Sequence, residues 1–254
     1  MHTDGTIFTV DDDSIVGVNP VTHEPFTISL EKGSSFDGGN CGEFPPISGS
    51  TSPVVSSQAI IAGDGFAYFA YYWANSSKTY ACPSGQISLV SDTHLRVVRV
   101  GTDGTYLKIN VGNWGGGSLR TLNLGTLITD ADQGALYSWG LCAGPQSPCS
   151  AQYYLTSIAG NGNPATVPTS LGFSGSFVLP VVPVLQRQDG TYIGSIGDAM
   201  VAFDKTGRKK WSQPNYTPKI ATADGGVIAQ SGGGTAAMFD QDGSSTGQIA
   251  SLPT

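Results

Sequence analysis

Charged residues are scarce in this chain of 254 residues, since Asp, Glu, Lys and Arg together make up only 12% of it. The formal net charge is −7, and the lack of a basic stripe that would neutralise phosphates argues against a nucleic-acid partner. No apolar run reaches about 18 residues, so no membrane-spanning helix is expected. Helix-forming residues are also sparse, whereas Gly occurs 35 times and Ser, Thr, Val and aromatic residues dominate. This composition predicts an all-β fold of short strands and tight turns.

The cysteines lack the spacing of a metal site. None of the four forms a Cys-x-x-Cys pair, and no His lies at zinc-finger spacing, which argues against a structural zinc ion. An even number of cysteines in loop-like sequence predicts two disulfides and an oxidising compartment. The residues from Met1 to Gly5 do not have the character of a signal peptide. We therefore expect a piece of an exported protein, periplasmic or secreted, that begins downstream of its signal.

Catalytic motifs are absent as well. The sequence contains no phosphate-binding loop and no dinucleotide fingerprint. The Gly-Ser segments at 172–175 and 194–197 do not have the spacing of a nucleophile elbow, and no helix is predicted after them. A Ser-His-Asp triad could form only through tertiary contacts, with His94 as the base.

A repeat with a period of roughly 35 to 60 residues organises the chain. The clearest unit spans 179–214, with strands at 179–186, 191–196 and 199–203 and a fourth strand that ends at Trp211 and Ser212. Strands A to D of this kind divide a single domain into five units: 1–30, 54–111, 119–160, 179–214 and 219–253. Asp-Gly pairs mark the tight turns between strands. The first unit begins at the turn Asp4-Gly5, so its strand A is missing.

The segment from Ala202 to Trp211 matches the pattern Ala-x-Asp-x-x-Gly-x-x-x-Trp at every fixed position. It resembles the tryptophan-docking repeat of PQQ-type β-propellers, the family of quinoprotein dehydrogenases and their cofactor-free relatives. The motif resemblance covers approximately residues 179–253, and elsewhere only the strand pattern agrees. It implies a β-propeller of four-stranded antiparallel blades, about five in this chain, in which the motif ties one blade to the next.

The same resemblance bears on cofactor and partners. Quinoproteins of this family have about eight blades and, in many members, an adjacent Cys-Cys pair below the cofactor. This chain has no such pair, so we expect it to bind no PQQ. Cofactor-free relatives act mostly as scaffolds or binding platforms in the bacterial envelope. Because the first blade lacks its inner strand, we expect either a closed five-bladed ring or an open propeller completed by a second copy, a homodimer formed through an exposed blade edge.

Four long connections fall on one face of such a propeller: 31–53, 74–94, 140–151 and 161–176. They contain all the cysteines. Cys41 can pair with Cys82 across adjacent blades, and Cys142 can pair with Cys149 within one loop. Loops that disulfides hold over the opening of a channel often carry binding or catalytic residues. Alternatively, these loops only cap the channel.

Candidate metal ligands and catalytic residues lie on this face. Asp92 and His94 have a spacing that can supply a carboxylate and an imidazole to a divalent ion. Asp12, Asp13 and Asp198 lie in turns on the same face and add carboxylates, which suits calcium, with zinc as the other candidate. Alternatively, Asp92 caps a turn and the acidic turns form a solvated rim.

Candidate ligand contacts complete the set. Trp73 and Trp139 lie near the long-loop side and can stack on a sugar or an apolar ligand, or else fill the space between blades. Asp37 and Glu43 in the first long connection can line the channel mouth.

Two functions follow from these residues. The first is a binding or scaffold propeller that presents disulfide-stapled loops over its central channel. The second is a metal-assisted hydrolase of an ester, lactone or phosphotriester, with His94 and Asp92 at the channel mouth, by analogy with propellers that hold a metal in the channel. The absence of any catalytic motif favours the first.

Overall fold

A computed structural model of the chain describes residues 2, 4–36, 47–55, 59–75, 79–82, 85–88, 92–114, 120–130, 134–143, 150–168, 182–187, 189–196, 198–204 and 206–249. All regular elements in these ranges are β-strands, and they form antiparallel sheets. The predicted all-β class is therefore confirmed. Over the same ranges, no helix is long and apolar enough to cross a membrane.

Chain contacts divide the protein into two compact units. Unit 1 comprises Met1–Ile61 and Gly65–Arg120, and unit 2 comprises Ala62–Asp64 and Thr121–Thr254.

Unit 1 contains two larger sheets and two hairpins. The first sheet is formed by β1 (Ile7–Asp11), β2 (Ser14–Val18) and β3 (Pro25–Ser29), in that order. The first hairpin is formed by β4 (Gly33–Phe36) and β5 (Ile47–Thr51). The second sheet is formed by β6 (Val54–Val55), β7 (Ile60–Ile61), β8 (Ala67–Ala74), β11 (Thr93–Val100) and β12 (Tyr106–Trp114), in the order β12-β11-β8 with β6 and β7 both on β8. The second hairpin is formed by β9 (Thr79–Cys82) and β10 (Gly85–Ser88).

Unit 2 contains three four-stranded sheets, and in each the order of strands follows the chain. The third sheet is formed by β13 (Arg120–Thr129), β14 (Ala135–Ala143), β15 (Ser150–Ile158) and β16 (Pro164–Pro168). The fourth sheet is formed by β17 (Val182–Gln186), β18 (Tyr192–Ile196), β19 (Ala199–Phe203) and β20 (Lys209–Gln213). The fifth sheet is formed by β21 (Tyr216–Ala221), β22 (Val227–Ser231), β23 (Ala236–Phe239) and β24 (Ser245–Ile249).

The long connections predicted from the sequence contain strands. Two of them include the hairpins β4–β5 and β9–β10, and a third is shortened because β14 and β15 stay paired out to Ala143 and Ser150. The fourth contains β16, so the third repeat unit extends to Pro168 rather than to residue 160. The physical reason is that backbone N–H and C=O groups in a long connection need partners, and pairing with a neighbouring strand supplies them.

The predicted Asp-Gly turns are confirmed. The glycines of these turns all have positive φ: 91° at Gly5, 79° at Gly65, 74° at Gly190, 83° at Gly225 and 81° at Gly243. The Asp side chain caps the turn, as where Asp4 Oδ1 accepts the Thr6 N–H at 2.8 Å. This hydrogen bond is the main reason why the pKa of Asp4 is lowered to about 2.

Apolar side chains from adjacent sheets form the cores of both units. In unit 1, Ile15 and Ile28 of the first sheet pack with Phe69 and Val98 of the second. In unit 2, one cluster joins the third and fourth sheets and another joins the fourth and fifth; their largest buried members are Leu136, Leu155, Tyr192, Phe203, Met200 and Phe239. Alternating strand residues supply these contacts, as expected for sheets that are covered on a face.

Trp211 ties the fourth sheet to the fifth. Its indole N–H donates to the backbone oxygen of Gln241 at 2.8 Å. Its ring lies over Gly243, where an added Cβ would come within 2.6 Å of the indole Cδ2. Only glycine fits this approach, because a side chain at φ 81° would also strain the turn.

Phe26 makes the equivalent contact in unit 1. It pairs in register with Gly17, as Trp211 pairs with Ala202, so the two aromatic residues occupy the same position in their sheets. The Phe26 ring lies against Gly104 in the turn between β11 and β12, 3.1 Å from where a Cβ would stand. An aromatic residue of the last strand thus contacts the last turn of the following sheet in both units.

Replacing Trp211 by Ala removes the ring from Gly243 and the hydrogen bond to Gln241. We expect the free energy of unfolding to fall by about 3 kcal/mol, a common cost of truncating a large aromatic residue, as measured by urea denaturation. Trp211→Phe keeps a ring but loses the N–H, and should cost about 1 kcal/mol. Val21→Ala, at a side chain that is 82% exposed, serves as the control. An unchanged unfolding midpoint in Trp211→Ala would show that the contact does not stabilise the fold.

Candidate functional site

The candidate site lies at one end of the second sheet. There β8 ends at Ala74, β11 begins at Thr93 and β12 ends at Trp114, because the three strands are antiparallel neighbours. Residues opposite each other in adjacent strands project from the same face. The register therefore brings together side chains that are distant in the sequence. We call the following residues the His94 cluster: Trp73, Asp92, His94, Arg96, Asn110 and Asn113.

His94 is held on three sides. It lies within β11, opposite Trp73 and Asn113, rather than in the predicted loop. Its Nε2 is 3.0 Å from Asp92 Oδ2, and its Nδ1 is 2.9 Å from Asn113 Oδ1. Its ring stacks on Trp73 with a centroid distance of 4.7 Å and an interplanar angle of 14°.

Both nitrogens of the His94 ring face oxygen acceptors. Asn113 Oδ1 also accepts a hydrogen bond from Arg96 Nη1 at 2.8 Å, which orients the amide with its oxygen toward the cluster. Asp92 presents a carboxylate oxygen to the other nitrogen. In this arrangement an oxygen of Asp92 or Asn113 lies in front of each ring nitrogen. A metal ion or a substrate proton therefore reaches a His94 nitrogen only if one of these side chains moves, so the Asp92–His94 pair does not fit a metal without rearrangement.

Asp92 is fixed at the start of β11 by Asn75. The Asn75 side-chain amide donates to Asp92 Oδ1, and the Asn75 backbone N–H donates to the Asp92 backbone oxygen at 2.9 Å. Asn75 Oδ1 in turn accepts the N–H of Ser34 in β4 at 2.7 Å. The carboxylate therefore acts here as a bridge between His94 and the end of β8.

Arg96 sits at a bulge. The register between β11 and β12 shifts between Leu95 and Arg96, so that Val111 of β12 has no partner in β11. Arg96 Nη1 donates to the carbonyls of Leu95 and Gly112 at 3.0 and 3.3 Å and to Asn110 Oδ1 at 2.5 Å. Its guanidinium lies 4.9 Å from the centre of the Trp73 ring. Burial lowers the pKa of Arg96 below its ordinary value.

A second polar group, adjacent along the same strands, joins the first sheet to the second. The Tyr71 hydroxyl donates to Glu31, and Lys108 Nζ lies 3.2 Å from Glu31 Oε2 and donates to the Ser29 carbonyl at 2.7 Å. Burial, together with the hydrogen bond to Glu31, raises the pKa of Tyr71. Burial alone would raise the pKa of Glu31, but the hydrogen bonds from Tyr71 and Lys108 outweigh it and lower that pKa.

The other predicted metal-binding carboxylates, Asp12, Asp13 and Asp198, all lie in turns. Asp12 has φ 41° in the turn between β1 and β2, and Asp13 pairs with Lys32. Asp198 is exposed in the turn between β18 and β19 of unit 2. Across the part of the chain that the structure describes, no group of three or more His, Cys, Asp or Glu residues could hold a metal ion.

The predicted ligand-stacking residues are covered by protein. Trp73 is 9% exposed beneath His94, and Trp139 is 2% exposed. Trp139 stacks on Tyr154 at 4.3 Å and donates to Thr156 Oγ1 at 2.9 Å. Asp37, Glu43, Cys41 and Cys149 lie outside the described residues. Cys82 and Cys142 belong to strands β9 and β14 rather than to loops, and the described part includes their backbones only.

The sequence did not point to Arg96, Asn110 and Asn113. No motif contains them, and each stands alone among apolar or small residues of a strand. The one available signal was an Arg between Leu95 and Val97, where a buried strand would be expected to carry a smaller or apolar residue.

Replacing Tyr71 by Phe removes the hydroxyl that stabilises ionised Glu31. We expect the free energy of unfolding at neutral pH to fall by about 1 to 3 kcal/mol. Because the folded-state pKa of Glu31 is lowered, its contribution is present above the unfolded pKa of about 4.3 and is lost as the pH falls through the folded value.

Tyr71→Phe should therefore also flatten the loss of stability on acidification, measured by urea denaturation between neutral and acid pH. Tyr106→Phe, at a tyrosine that is 56% exposed in the same sheet, is the matched control and should leave both quantities unchanged. An acid dependence identical in Tyr71→Phe and the natural protein would refute this role of Glu31.

Comparison with known proteins gives a structural similarity but no match to a described family. No protein-family description matches it, and no curated protein matches it. Among solved structures, the crystal structure of a protein of unknown function from Bacteroides caccae is similar, with 13% sequence identity and a TM-score of 0.46. The alignment covers 96% of this chain and 72% of that one.

Proposed function

We propose that this protein is a binding or scaffold protein built as a PQQ-like, tryptophan-docking β-propeller without a bound quinone. The succession of antiparallel sheets, each made of strands that follow one another in the chain, supports this architecture. The contacts of Trp211 with Gly243 and of Phe26 with Gly104 support it further, because they place the same aromatic position against the same turn of the following sheet.

The hydrogen bonds of His94 favour a binding function over a hydrolytic one. A general base must offer a lone pair within reach of the proton it abstracts. In the His94 cluster both ring nitrogens face oxygens of Asp92 and Asn113, and the ring face rests on Trp73. These contacts suit a residue that holds the end of the sheet rigid.

We assign ligand contact to the exposed amides of the cluster. The side-chain oxygens of Asn110 and Asn113 both accept from Arg96, so their NH₂ groups point away from it. Both residues are exposed, and the Asp92 side chain is 38% exposed beside them. Amide donors next to a carboxylate acceptor suit a polar neutral ligand, such as a sugar or an extended peptide backbone.

Binding to arrays of glycans and peptides tests this assignment. We expect a specific ligand whose affinity falls about tenfold or more in Asn113→Ala, because an amide donor is lost and Arg96 and His94 lose a shared acceptor. Asn163→Ala, at an exposed Asn in the turn between β15 and β16, is the matched control and should bind normally. A ligand that binds Asn113→Ala as well as the natural protein would remove the His94 cluster from the site.

A metal-assisted hydrolase of an ester, lactone or phosphotriester is the second candidate, favoured by the direct contact between Asp92 and His94. Under the binding proposal, a panel of these substrates shows no turnover with or without added calcium or zinc. Turnover that is abolished both by a chelator and by His94→Ala, but not by His23→Ala at an exposed turn, would replace the binding proposal with the hydrolase.

We also propose that the four cysteines form two disulfides and that the protein works outside the cytoplasm. The even number of cysteines and the lack of a zinc-ligand spacing support this proposal. Pairing of Cys41 with Cys82 and of Cys142 with Cys149 remains the arrangement we propose.

A further inference from the structure

Strand β1 is an open edge of the first sheet. It pairs with β2, and no other strand in the described ranges pairs with it. Four of its five residues are exposed, including Ile7 at 57% and Val10 at 39%. An edge of this kind presents unpaired backbone N–H and C=O groups to any strand that approaches.

The turn that precedes β1 has the hydrogen bonds of a turn that joins two paired strands. The His2 N–H donates to the Thr6 carbonyl at 2.8 Å, and the Gly5 N–H donates to the His2 carbonyl at 2.9 Å. The corresponding turn in the fourth sheet has the same two hydrogen bonds, at 2.8 and 3.0 Å, and there β17 precedes it and covers β18. The position next to β1 therefore matches one that a fourth strand occupies elsewhere in the chain.

Several other edge strands carry residues that discourage pairing. Proline removes a donor from the edge, and lysine on an edge opposes a second strand. Such residues occur in β3, β12, β16, β17, β20 and β21: Pro25, Lys108, Pro164, Pro183, Lys209 and Pro218. β1, with the sequence Ile-Phe-Thr-Val-Asp, has neither.

We propose that β1 pairs antiparallel with β1 of a second copy of this chain, about a two-fold axis at Thr9. Asp11 and Ser14 flank a two-residue turn, so alternate residues of β1 bond to β2 and the backbone groups of Phe8 and Val10 point to the open edge. In the two-fold pair, Phe8 exchanges both of its backbone hydrogen bonds with the partner's Val10, and Val10 does the same with the partner's Phe8.

The side chains fit this register. Phe8 already packs edge-on against Phe26 and Phe69 at 6.0 Å, and the partner's Val10 extends this apolar group. Thr9 faces the partner's Thr9, a favourable cross-strand pair.

Charge selects the antiparallel direction. The acidic run Asp11-Asp12-Asp13 lies at the C-terminal end of β1. A parallel pair of β1 strands would bring two such runs together. In the antiparallel pair each Asp11 lies opposite the partner's Ile7, and the two acidic runs lie at opposite ends of the paired strands. This pairing depends on the β1 edge alone and is independent of the ligand site and of the propeller proposal.

Sedimentation equilibrium on the full chain tests the dimer. We expect the natural protein to form reversible dimers with a Kd below about 1 mM, which is the range of weak interfaces. Thr9→Lys should weaken association at least about tenfold, because like charges then face each other across the axis. Thr27→Lys makes the same change on the opposite edge of the same sheet and should associate normally. A natural protein that stays monomeric, or a Thr9→Lys variant that associates as tightly, would overturn the proposal.

A cross-link tests the register with a variant that changes little in size. Thr9 and the partner's Thr9 form a non-hydrogen-bonded pair, whose Cβ atoms come close enough for a disulfide. Thr9→Cys should form covalent dimers on mild oxidation, whereas Thr27→Cys, which keeps the same four native cysteines, should not. Equal cross-linking of both variants, or none of Thr9→Cys at concentrations where the natural protein associates, would refute pairing at Thr9.

Discussion

The close approach of an aromatic ring to a glycine turn is the constraint on which the order of adjacent sheets depends. Trp211 lies on Gly243 and holds the carbonyl of Gln241, while Phe26 lies on Gly104. A four-stranded antiparallel sheet cannot bury both of its faces alone, so it needs a neighbour at a defined position. A glycine with positive φ leaves room for the ring, and the ring then fixes which turn of the next sheet lies beneath it. The apolar clusters between the sheets follow from this placement.

The His94 cluster illustrates how a local irregularity gathers polar residues. The bulge in β12, where Val111 has no partner in β11, lies beside Arg96, and one guanidinium nitrogen of Arg96 donates to the carbonyls of Leu95 and Gly112. That position brings Arg96 over Trp73 and in contact with the amide of Asn113, which in turn orients His94. Buried polar groups need hydrogen-bond partners, and each polar side chain that serves as a partner here needs a further hydrogen bond of its own. At the end of the second sheet, Arg96, Asn113 and His94 are therefore linked to one another by hydrogen bonds.

Most strands could be predicted from the sequence because their pattern is local. The strand predicted at 199–203 coincides with β19, and the Asp-Gly turns have the positive φ that glycine permits. β16, which pairs with β15, was missed although Asn161-Gly162 marks the turn before it, with φ 84° at Gly162. His94 was placed in a loop because a polar pair preceded the apolar run, whereas pairing with Trp73 and Asn113 draws it into β11. Phe26 went unrecognised as the counterpart of Trp211 because no tryptophan marks its position.

The all-β class, the tight turns and the glycines that these turns need follow from composition and from neighbouring residues, and so does the succession of strands that pair with their neighbours in the chain. Tertiary structure decided which polar residues meet. The contacts of His94 with Asp92 and Asn113, of Arg96 with the bulge, and of Tyr71 with Glu31 arise from strand register and from the packing of one sheet on another. A shift of one residue in register turns a side chain to the opposite face, so such contacts exist only once the sheets have paired.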